Sequence, residues 1–119
     1  MANIVRKTYS VDASGKIVGR LASEIAMHLM GKTNVGYLPN VDAGDFVVVT
    51  NAGGLKVTGK KMEQKVYQHH TNHPGGLKTK SMAKVWAEDP TSVLRRAVSR
   101  MLPKTKHRTA RLLRLTITS

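Results

Sequence analysis

The stretch VGRLASEIAMHLMG, residues 18–31, decides the fold of this chain. Gly31 ends the stretch, and glycine commonly ends a helix because it adopts the left-handed conformation at little cost. The apolar residues before it recur at the spacing of one face of an amphipathic helix: Val18, Leu21, Ala22, Ile25, Ala26, Leu29 and Met30. The spacing therefore predicts a helix over residues 18–30 that buries one face in a core.

Short apolar segments on either side of this helix are typical of strands. Residues 9–12 are predicted as a short strand, and the turn DASGK (12–16) joins it to the helix. After a loop, FVVVTN (46–51) is a β-branched run of the kind that is buried on both faces of a sheet. LKVTG (55–59) and QKVYQ (64–68) are shorter candidates for strands, and the histidine-rich residues that follow are expected to form a loop.

The C-terminal half contains two predicted helices and a last predicted strand. One helix covers residues 81–88, and Asp89 and Pro90 begin the next, since aspartate is a common N-cap and proline fits the first helical turn. This second helix ends before Pro103, and ARLLRLTIT (110–118) is predicted as a strand. The apolar face of the second helix comprises Val93, Leu94, Ala97, Val98 and Met101, while Arg95, Arg96 and Arg100 lie largely elsewhere. Alternating strands and helices predict an α/β layer fold with a mostly parallel or mixed sheet.

A chain of 119 residues with 40% hydrophobic content is long enough for one domain with a buried core. We expect a single domain over residues 1–119, with residues 1–7 and the last few residues extended. No run of about 18 apolar residues occurs, and the N-terminal sequence lacks the apolar region of a secretory signal, so we expect no membrane partner. The absence of cysteine excludes disulfides and thiolate metal sites, which fits a reducing compartment.

The net charge of +13 is distributed unevenly along the chain. Residues 1–50 hold five basic and four acidic side chains, a net of +1, whereas residues 51–119 hold fifteen basic and three acidic ones, a net of +12. A basic domain of this size repels itself unless a polyanion neutralises it. We therefore expect the N-terminal half to build the core and the C-terminal half to form a contact surface for nucleic acid.

The segment KVYQHHTNHPGGLKTK (65–80) concentrates three of the five histidines. Imidazole serves as a zinc ligand and as a general base, so a metal site and a catalytic loop are both conceivable. Carboxylates are scarce near the segment, and a catalytic base would have to recruit Asp42 or Asp45 from elsewhere. In a third interpretation the histidines His69, His70 and His73 contact RNA phosphates, 2′-hydroxyls or bases. Some of them could instead hydrogen-bond the backbone and shape the loop.

The segment GLKVTGKK (54–61) nearly matches the phosphate-binding loop G-x-x-x-x-G-K-[ST]. Lys61 stands where the motif has a hydroxyl for Mg²⁺, and the residues after it show no helical pattern. The pattern therefore disfavours nucleotide hydrolysis, and the glycines are expected to make turns while the lysines face a polyanion.

Several features favour a structured RNA as the polyanion. Aromatic residues make up only 4% of the chain, too few for a platform that stacks many bases, and no helix-turn-helix or zinc-finger pattern is visible. Gly75 and Gly76 would let backbone approach a sugar-phosphate chain. Counterion-releasing charge near them comes from Lys60, Lys61, Lys65, Lys78 and Lys80. The pattern favours a protein that recognises RNA shape and backbone.

Five stretches resemble signature segments of one family, in the family's order and with nearly its spacing: YSVDASGKIVGRLAS, GKTNVGYLPNVDAGDFVVVTNA, VTGKK, KVYQHHTNHPGGLK and RMLPK. Over roughly residues 8–118, the chain is identified as similar to the large-subunit ribosomal protein thirteen family. The resemblance implies a three-layer α/β/α domain that binds large-subunit rRNA, enters assembly early and has no enzymatic activity.

The resemblance also implies roles for individual residues. The family's rRNA-facing loop matches Lys65, Tyr67, His69, His70, Thr71, His73, Gly75, Gly76 and Lys78. Its second contact loop matches Met101, Leu102, Pro103 and Lys104, followed by Arg108. The segments that shape the fold match Asp12, Gly15, Gly19, Arg20, Asp42, Gly44 and Asp45. With the remaining basic positions, the predicted rRNA contacts are Lys60, Lys61, Lys65, Tyr67, His69, His70, Thr71, His73, Gly75, Gly76, Lys78, Lys80, Arg95, Arg96, Arg100, Lys104, Lys106 and Arg108.

The expected function is that of a structural constituent of the large ribosomal subunit, located in the ribosome of the cytoplasm or of an organelle. Its expected partners are large-subunit rRNA and neighbouring ribosomal proteins, with no cofactor, no metal and no small-molecule substrate. Two alternatives remain open at this point: a small histidine-dependent or metal-dependent hydrolase, and an RNA-binding regulator outside the ribosome.

Overall fold

The computed structural model describes residues 6–35, 37–57 and 61–118. The strands, in chain order, are β1 (Thr8–Asp12), β2 (Phe46–Thr50), β3 (Val66–His70), β4 (Leu77–Ser81) and β5 (Leu115–Ile117). The helices are α1 (Val18–Met30), α2 (Lys61–Gln64), α3 (Met82–Glu88), α4 (Pro90–Met101) and α5 (His107–Leu113), and a 3₁₀ turn covers Ala52–Gly54.

Two sheets are formed by these strands. The larger has the strand order β1-β2-β5 and is parallel throughout, with Tyr9 opposite Val47 and Val49 opposite Ile117. The smaller is the antiparallel hairpin β3–β4. Helices therefore combine with a parallel and an antiparallel sheet, which confirms the predicted α/β class and the mostly parallel or mixed pairing.

Helix α1 has the bounds and the buried face that its apolar spacing predicts. The Gly31 φ of 86° is left-handed, and its N–H donates to the carbonyls of Met27 and His28, so it caps the helix as expected. Val18 is only half-buried. The face buried in the core comprises Leu21, Ala22, Ile25, Ala26, Leu29 and Met30. Full burial of one large aliphatic side chain contributes about 1.5–3 kcal/mol, so this face dominates the packing of the N-terminal half.

The core is built by both halves of the chain. Leu94, Val98, Leu102 and Leu115 lie in the same buried cluster as the α1 face. A second buried cluster, formed by Tyr67, Met82, Val85 and Val93, belongs entirely to the C-terminal half. The N-terminal half supplies most of the larger cluster, as expected, but the core extends into the C-terminal half because α4 packs directly against α1.

Strand β2 is buried on one face and only partly on the other. Val47 and Val49 are fully buried, but Val48 is half-buried and Phe46 keeps 46% of its surface exposed. Burial on both faces was therefore predicted wrongly, because an apolar β-branched run alone does not specify what covers the second face.

Helices α3 and α4 begin at side-chain N-caps: Asp89, as predicted, and Ser81, which the sequence placed inside the first of these helices. The Ser81 hydroxyl accepts a hydrogen bond from the Lys84 N–H at 3.3 Å, and the Asp89 carboxylate accepts one from the Thr91 N–H at 3.1 Å. These side chains satisfy N–H groups that a helix N-terminus leaves without a partner. On the predicted apolar face of α4, Met101 is the exception, with 43% of its surface exposed.

Three local predictions differ from the structure. The segment 110–118 is not one strand, because α5 extends to Leu113 and only Leu115–Ile117 pairs with β2. The segment 55–59 contributes a single bridge between Lys56 and Ile17, while Thr58 and Gly59 lie outside the described residues. A single helical turn, α2, follows the phosphate-loop-like segment where no helix was expected.

Helix α5 and the residue that follows it contribute two arginines to a buried ion-pair cluster. Arg114 donates from Nη1 and Nη2 to the two carboxylate oxygens of Asp42, at 2.8 and 2.7 Å, and its Nη2 also donates to the Leu29 carbonyl at 2.9 Å. The Arg111 Nε lies 3.5 Å from Asp42 Oδ1. Arg111 is 2% exposed and Arg114 is 8% exposed, so both cations are inside the molecule. Asp42 thus joins the loop before β2 to the end of α1 and to α5.

Asp42 is kept ionised by this cluster. Its burial favours the neutral acid and raises the pKa, but the hydrogen bond from Arg114 and the charges of Arg114, Arg6 and Arg111 outweigh that effect. The pKa of Asp42 is therefore lowered from its ordinary value. The carboxylate is engaged as a structural group, which leaves it poorly suited to the catalytic role considered from the sequence.

Among the helices within the described ranges, none is long and apolar enough to cross a bilayer.

Candidate nucleic-acid interface

The histidine-rich segment forms most of the hairpin β3–β4. The strand predicted over residues 64–68 largely coincides with β3, whereas the residues after it, which were expected to form a loop, include the end of β3 and most of β4. His69 and His70 lie in β3, Lys78 and Lys80 lie in β4, and only residues 71–76 form the connection. Apart from Tyr67, which is buried, and Ser81, which is half-buried, every residue of the two strands is exposed. A two-stranded hairpin is at best marginally stable in water, so this one depends on whatever it packs against.

The strand alternation divides the predicted contact residues between two faces. Tyr67 lies opposite Lys80 and His69 lies opposite Lys78, so these four share one face. His70 points to the other face with Val66, Thr79 and Leu77. One hairpin face therefore carries the two lysines, and the other, which also includes Gln68 and Ser81, carries no lysine or arginine.

The three histidines have different surroundings. The His70 Nδ1 accepts a hydrogen bond from the Asn72 N–H at 2.9 Å, and the His73 Nδ1 donates to the Pro74 carbonyl at 3.1 Å. Both rings thus shape the connection between the strands. Within the described segments, the exposed His69 ring forms no hydrogen bond. His69 is the histidine best placed to donate to a ligand.

The two glycines of the connection have a structural requirement. The Gly75 φ of 74° is in the left-handed region, where a side chain is strained. A Cβ on Gly76 would collide with Thr71 Oγ1 and lie 2.8 Å from the His73 carbonyl oxygen. The Gly76 N–H donates to that carbonyl and the Gly76 carbonyl accepts from the Thr71 N–H, at 2.8 and 3.0 Å. The turn itself thus explains both glycines, whether or not RNA approaches them.

Cations from two elements converge on the Tyr67 ring. The Arg96 Cζ lies 4.6 Å from the ring centroid, and the Arg100 Cζ and the Lys65 Nζ each lie 5.6 Å from it. Arg96 and Arg100 are four residues apart on α4 and therefore share a helix face. Tyr67 is only 7% exposed, so its ring is largely covered where the hairpin meets the helix.

The remaining predicted contacts are distributed over other parts of the molecule. Arg95 is exposed and its Nη2 approaches the Leu115 carbonyl at 3.4 Å, which turns it away from the hairpin. Thr71, Lys104 and Lys106 are exposed, and Arg108 is half-buried at the start of α5. Lys60 lies outside the described residues, and so does the side chain of Lys61. The structure thus brings together Lys65, Tyr67, His69, Lys80, Arg96 and Arg100, and leaves the segment after α4 as a separate basic surface.

One residue of this arrangement was missed in the sequence. Gln68 lines the cavity between the hairpin and α4 together with Tyr67, His69, Lys80, Arg96 and Arg100. A glutamine between two strand residues that face a helix gives no indication, in the sequence, that it lines a cavity. The spacing of Arg96 and Arg100 was the available sign that α4 has a second, cationic face.

Metal and catalytic chemistry find little support in this geometry. Within the described residues, no group of three or more His, Cys, Asp or Glu side chains is placed to hold a metal ion. The histidines of the hairpin have lysines and arginines around them, which disfavour a cation.

Comparisons with known proteins give one family. A family model described as Ribosomal protein L13 matches residues 6–118. A curated protein of Syntrophus aciditrophicus (strain SB), named Large ribosomal subunit protein uL13, is 50% identical over 103 residues, which cover 87% of this chain and 72% of that protein. The proteins of the same name from Aquifex aeolicus (strain VF5) and Legionella pneumophila (strain Paris) are 52% identical over 103 residues and 48% identical over 101 residues. The match to the Aquifex protein covers 87% of this chain and 72% of that protein, and the match to the Legionella protein covers 85% of this chain and 70% of that protein. The chain belongs to the ribosomal protein L13 family.

Proposed function

We propose that this chain is a structural constituent of the large ribosomal subunit that binds and organises large-subunit rRNA. The rRNA contact is inferred from the basic face of the hairpin, which lies next to the arginines of α4. Both elements belong to the half of the chain with a net charge of +12. Membership of a ribosomal structural family places the chain among structural proteins rather than enzymes.

The physical basis of the contact is neutralisation of phosphates. Each Lys or Arg that replaces a condensed counterion on the RNA releases that ion, which favours binding at low salt. The chain has few exposed aromatic rings, so stacking on bases contributes little and the contact recognises backbone geometry. We expect such a protein to fix rRNA helices relative to one another, and early entry into assembly follows if those helices must be held before others can dock.

Two surfaces are candidates for this role. The hairpin with α4 supplies Lys65, His69, Lys78, Arg96 and Arg100. The segment after α4 supplies Lys104, Lys106 and Arg108, which have no acidic partner among the ion pairs of the described residues. Two basic surfaces on one fold could contact two RNA helices at once, which is what organising rRNA requires. The neighbouring ribosomal proteins would occupy surfaces outside these two.

Sedimentation tests the proposal. The tagged protein is expressed, and ribosomal subunits are separated on a density gradient after a high-salt wash. We expect the protein to sediment with large subunits and to bind purified large-subunit rRNA directly. Recovery in the soluble fraction alone would contradict the ribosomal role and favour an RNA-binding regulator outside the ribosome. Recovery with large subunits without affinity for naked rRNA would contradict the direct contact and indicate attachment through neighbouring proteins.

A further inference from the structure

The junction between the hairpin β3–β4 and helix α4 concentrates positive charge without matching negative charge. The cations nearest the Tyr67 ring are Lys65, Arg96 and Arg100. Among the side chains that the structure describes, ion pairs involve Lys80, Arg111 and Arg114, and none involves these three cations. The ring face attracts them, but a single ring offsets only part of the repulsion between three like charges.

The cavity at this junction is lined from both elements. It measures about 360 Å³ and is bounded by Tyr67, Gln68, His69 and Lys80 of the hairpin and by Arg96 and Arg100 of α4. Glu88 is the carboxylate close to this set, and it lies 3.1 Å from the Lys80 Nζ, so it offsets that lysine. Among the residues that the structure describes, the two arginines and the His69 ring have no acceptor for their N–H groups, and such a cavity suits an anion.

We propose that this cavity binds a backbone phosphate of an RNA strand, with Arg96 and Arg100 as the donors and Tyr67 as the residue that positions them. The proposal rests on the proposed rRNA-binding function and assigns one of its contacts. It differs from a general basic surface because the hairpin and the helix act as one site: neither element alone contains the ring and both arginines.

The choice of a phosphate follows from guanidinium chemistry. The planar fork of an arginine matches the oxygens of a phosphate and can donate two parallel hydrogen bonds to them. A guanidinium over an aromatic face keeps the N–H groups at its edge free to donate. Two such forks, four residues apart on a helix, can approach one phosphate from adjacent directions, and His69 can add a third donor from the hairpin.

Tyr67 acts through the arginines. Arginine side chains lose rotamer freedom when they bind, and a ring that already restricts them lowers that loss. Within the described residues, the Tyr67 hydroxyl forms no hydrogen bond. The ring, and not the hydroxyl, is therefore the part that positions Arg96 and Arg100. Phenylalanine should therefore replace Tyr67 with little effect, whereas leucine should not.

The experiment measures the Kd for purified large-subunit rRNA over a series of salt concentrations, with five single variants and one double variant of the full chain. Arg96→Gln and Arg100→Gln remove one donor each, and Lys32→Gln, at an exposed position after α1, removes the same charge elsewhere. Tyr67→Phe and Tyr67→Leu test the ring, and Tyr67→Leu with Arg96→Gln tests whether the two act together. Circular dichroism establishes that each variant is folded before its Kd is compared.

We expect Arg96→Gln and Arg100→Gln each to weaken binding about tenfold, as for loss of a charge-assisted hydrogen bond. Each should also reduce the slope of log K against log salt by about 0.7–1. Lys32→Gln and Tyr67→Phe should leave both quantities near the wild-type values. Tyr67→Leu should weaken binding about two- to fivefold. The double variant should lose clearly less affinity than the product of the two single losses, since the ring then has only Arg100 left to position.

Two results would overturn the phosphate site while leaving the proposed function intact. In the first, the wild-type chain binds rRNA, and the Kd values and salt slopes of Arg96→Gln and Arg100→Gln are the same as those of Lys32→Gln. The other is a double variant whose loss equals the product of the two single losses, since Tyr67 then acts independently of Arg96 and has only a packing role. Failure of the wild-type chain itself to bind rRNA is a different outcome, because it overturns the direct rRNA contact on which the site rests.

Discussion

Replacing Asp42 with asparagine should destabilise the fold more than any other loss of a single carboxylate. Asp42 accepts hydrogen bonds from Arg114 at 2.7 and 2.8 Å and faces the Arg111 Nε at 3.5 Å. Asparagine keeps the size of the side chain but removes its charge, which leaves two buried guanidinium groups without a counter-charge. Breaking a buried ion pair in this way costs about 3–5 kcal/mol.

The magnitude is large relative to the stability of a small domain. Total unfolding free energies are about 5–15 kcal/mol, so the variant loses a substantial part of its stability and could be partly unfolded at growth temperature. For a chain of this length the loss corresponds to a fall in Tm of roughly 10–20 °C. Thermal unfolding followed by circular dichroism measures it. The control is Glu24→Gln, which removes one carboxylate charge at an exposed position of α1 and should stay within about 0.5 kcal/mol of the wild type.

The pH dependence gives a second check on the same group. Because the pKa of Asp42 is lowered in the folded state, its contribution to stability is present above the ordinary value of 3.8 and is lost as the pH falls through the folded-state pKa. The stability difference between wild type and Asp42→Asn should therefore shrink as the pH falls below about 4. A difference below about 1 kcal/mol at neutral pH, or one that does not diminish in acid, would refute the reasoning.

Three further predictions concern the hairpin. Lys78→Ala should reduce the slope of log K against log salt for rRNA binding by about one phosphate contact, and an unchanged slope would remove Lys78 from the interface. His69→Ala should weaken rRNA binding directly, whereas His70→Ala should act by loosening the turn, so amide hydrogen exchange at residues 71–76 should rise in the second variant and not in the first. Gly76→Ala should disorder the same turn because its Cβ meets Thr71, and it should weaken rRNA binding with little change in Tm; a large fall in Tm would show that the turn supports the core.

The elements that the sequence predicts well are those whose signals are local. The buried face of α1, the left-handed cap at Gly31 and the N-cap Asp89 depend on residues within one or two turns of each other, and all appear as expected. The last strand appears only over Leu115–Ile117, since residues 107–113 are helical and place Arg111 and Arg114 against a carboxylate that lies far along the chain, at Asp42. A pattern of alternating leucine and arginine cannot reveal which distant group will cover the arginines.

The candidate interface was predicted as a set of residues but not as an arrangement. Lysine, histidine and arginine positions could be identified from charge and spacing alone. Their grouping depends on the register of β3 with β4 and on the packing of Tyr67 against α4, both of which are tertiary. For the same reason, the sequence could not distinguish His69 from His70 and His73, whose rings bond to the turn.

The buried and exposed arginines of the C-terminal half show how its charge is divided. Residues 51–119 contain only three acidic side chains for fifteen basic ones, so the half cannot neutralise its own cations. Two of these cations, Arg111 and Arg114, are buried, and their carboxylate comes from Asp42 in the other half. Within the described residues, the ion pair formed by an acidic side chain of the C-terminal half is that of Glu88 with Lys80, and the exposed cations near Tyr67 take part in none. The near-neutral half therefore does more than supply core residues: its Asp42 holds two arginines inside, while the exposed cations of the C-terminal half lie on the two surfaces proposed to contact rRNA.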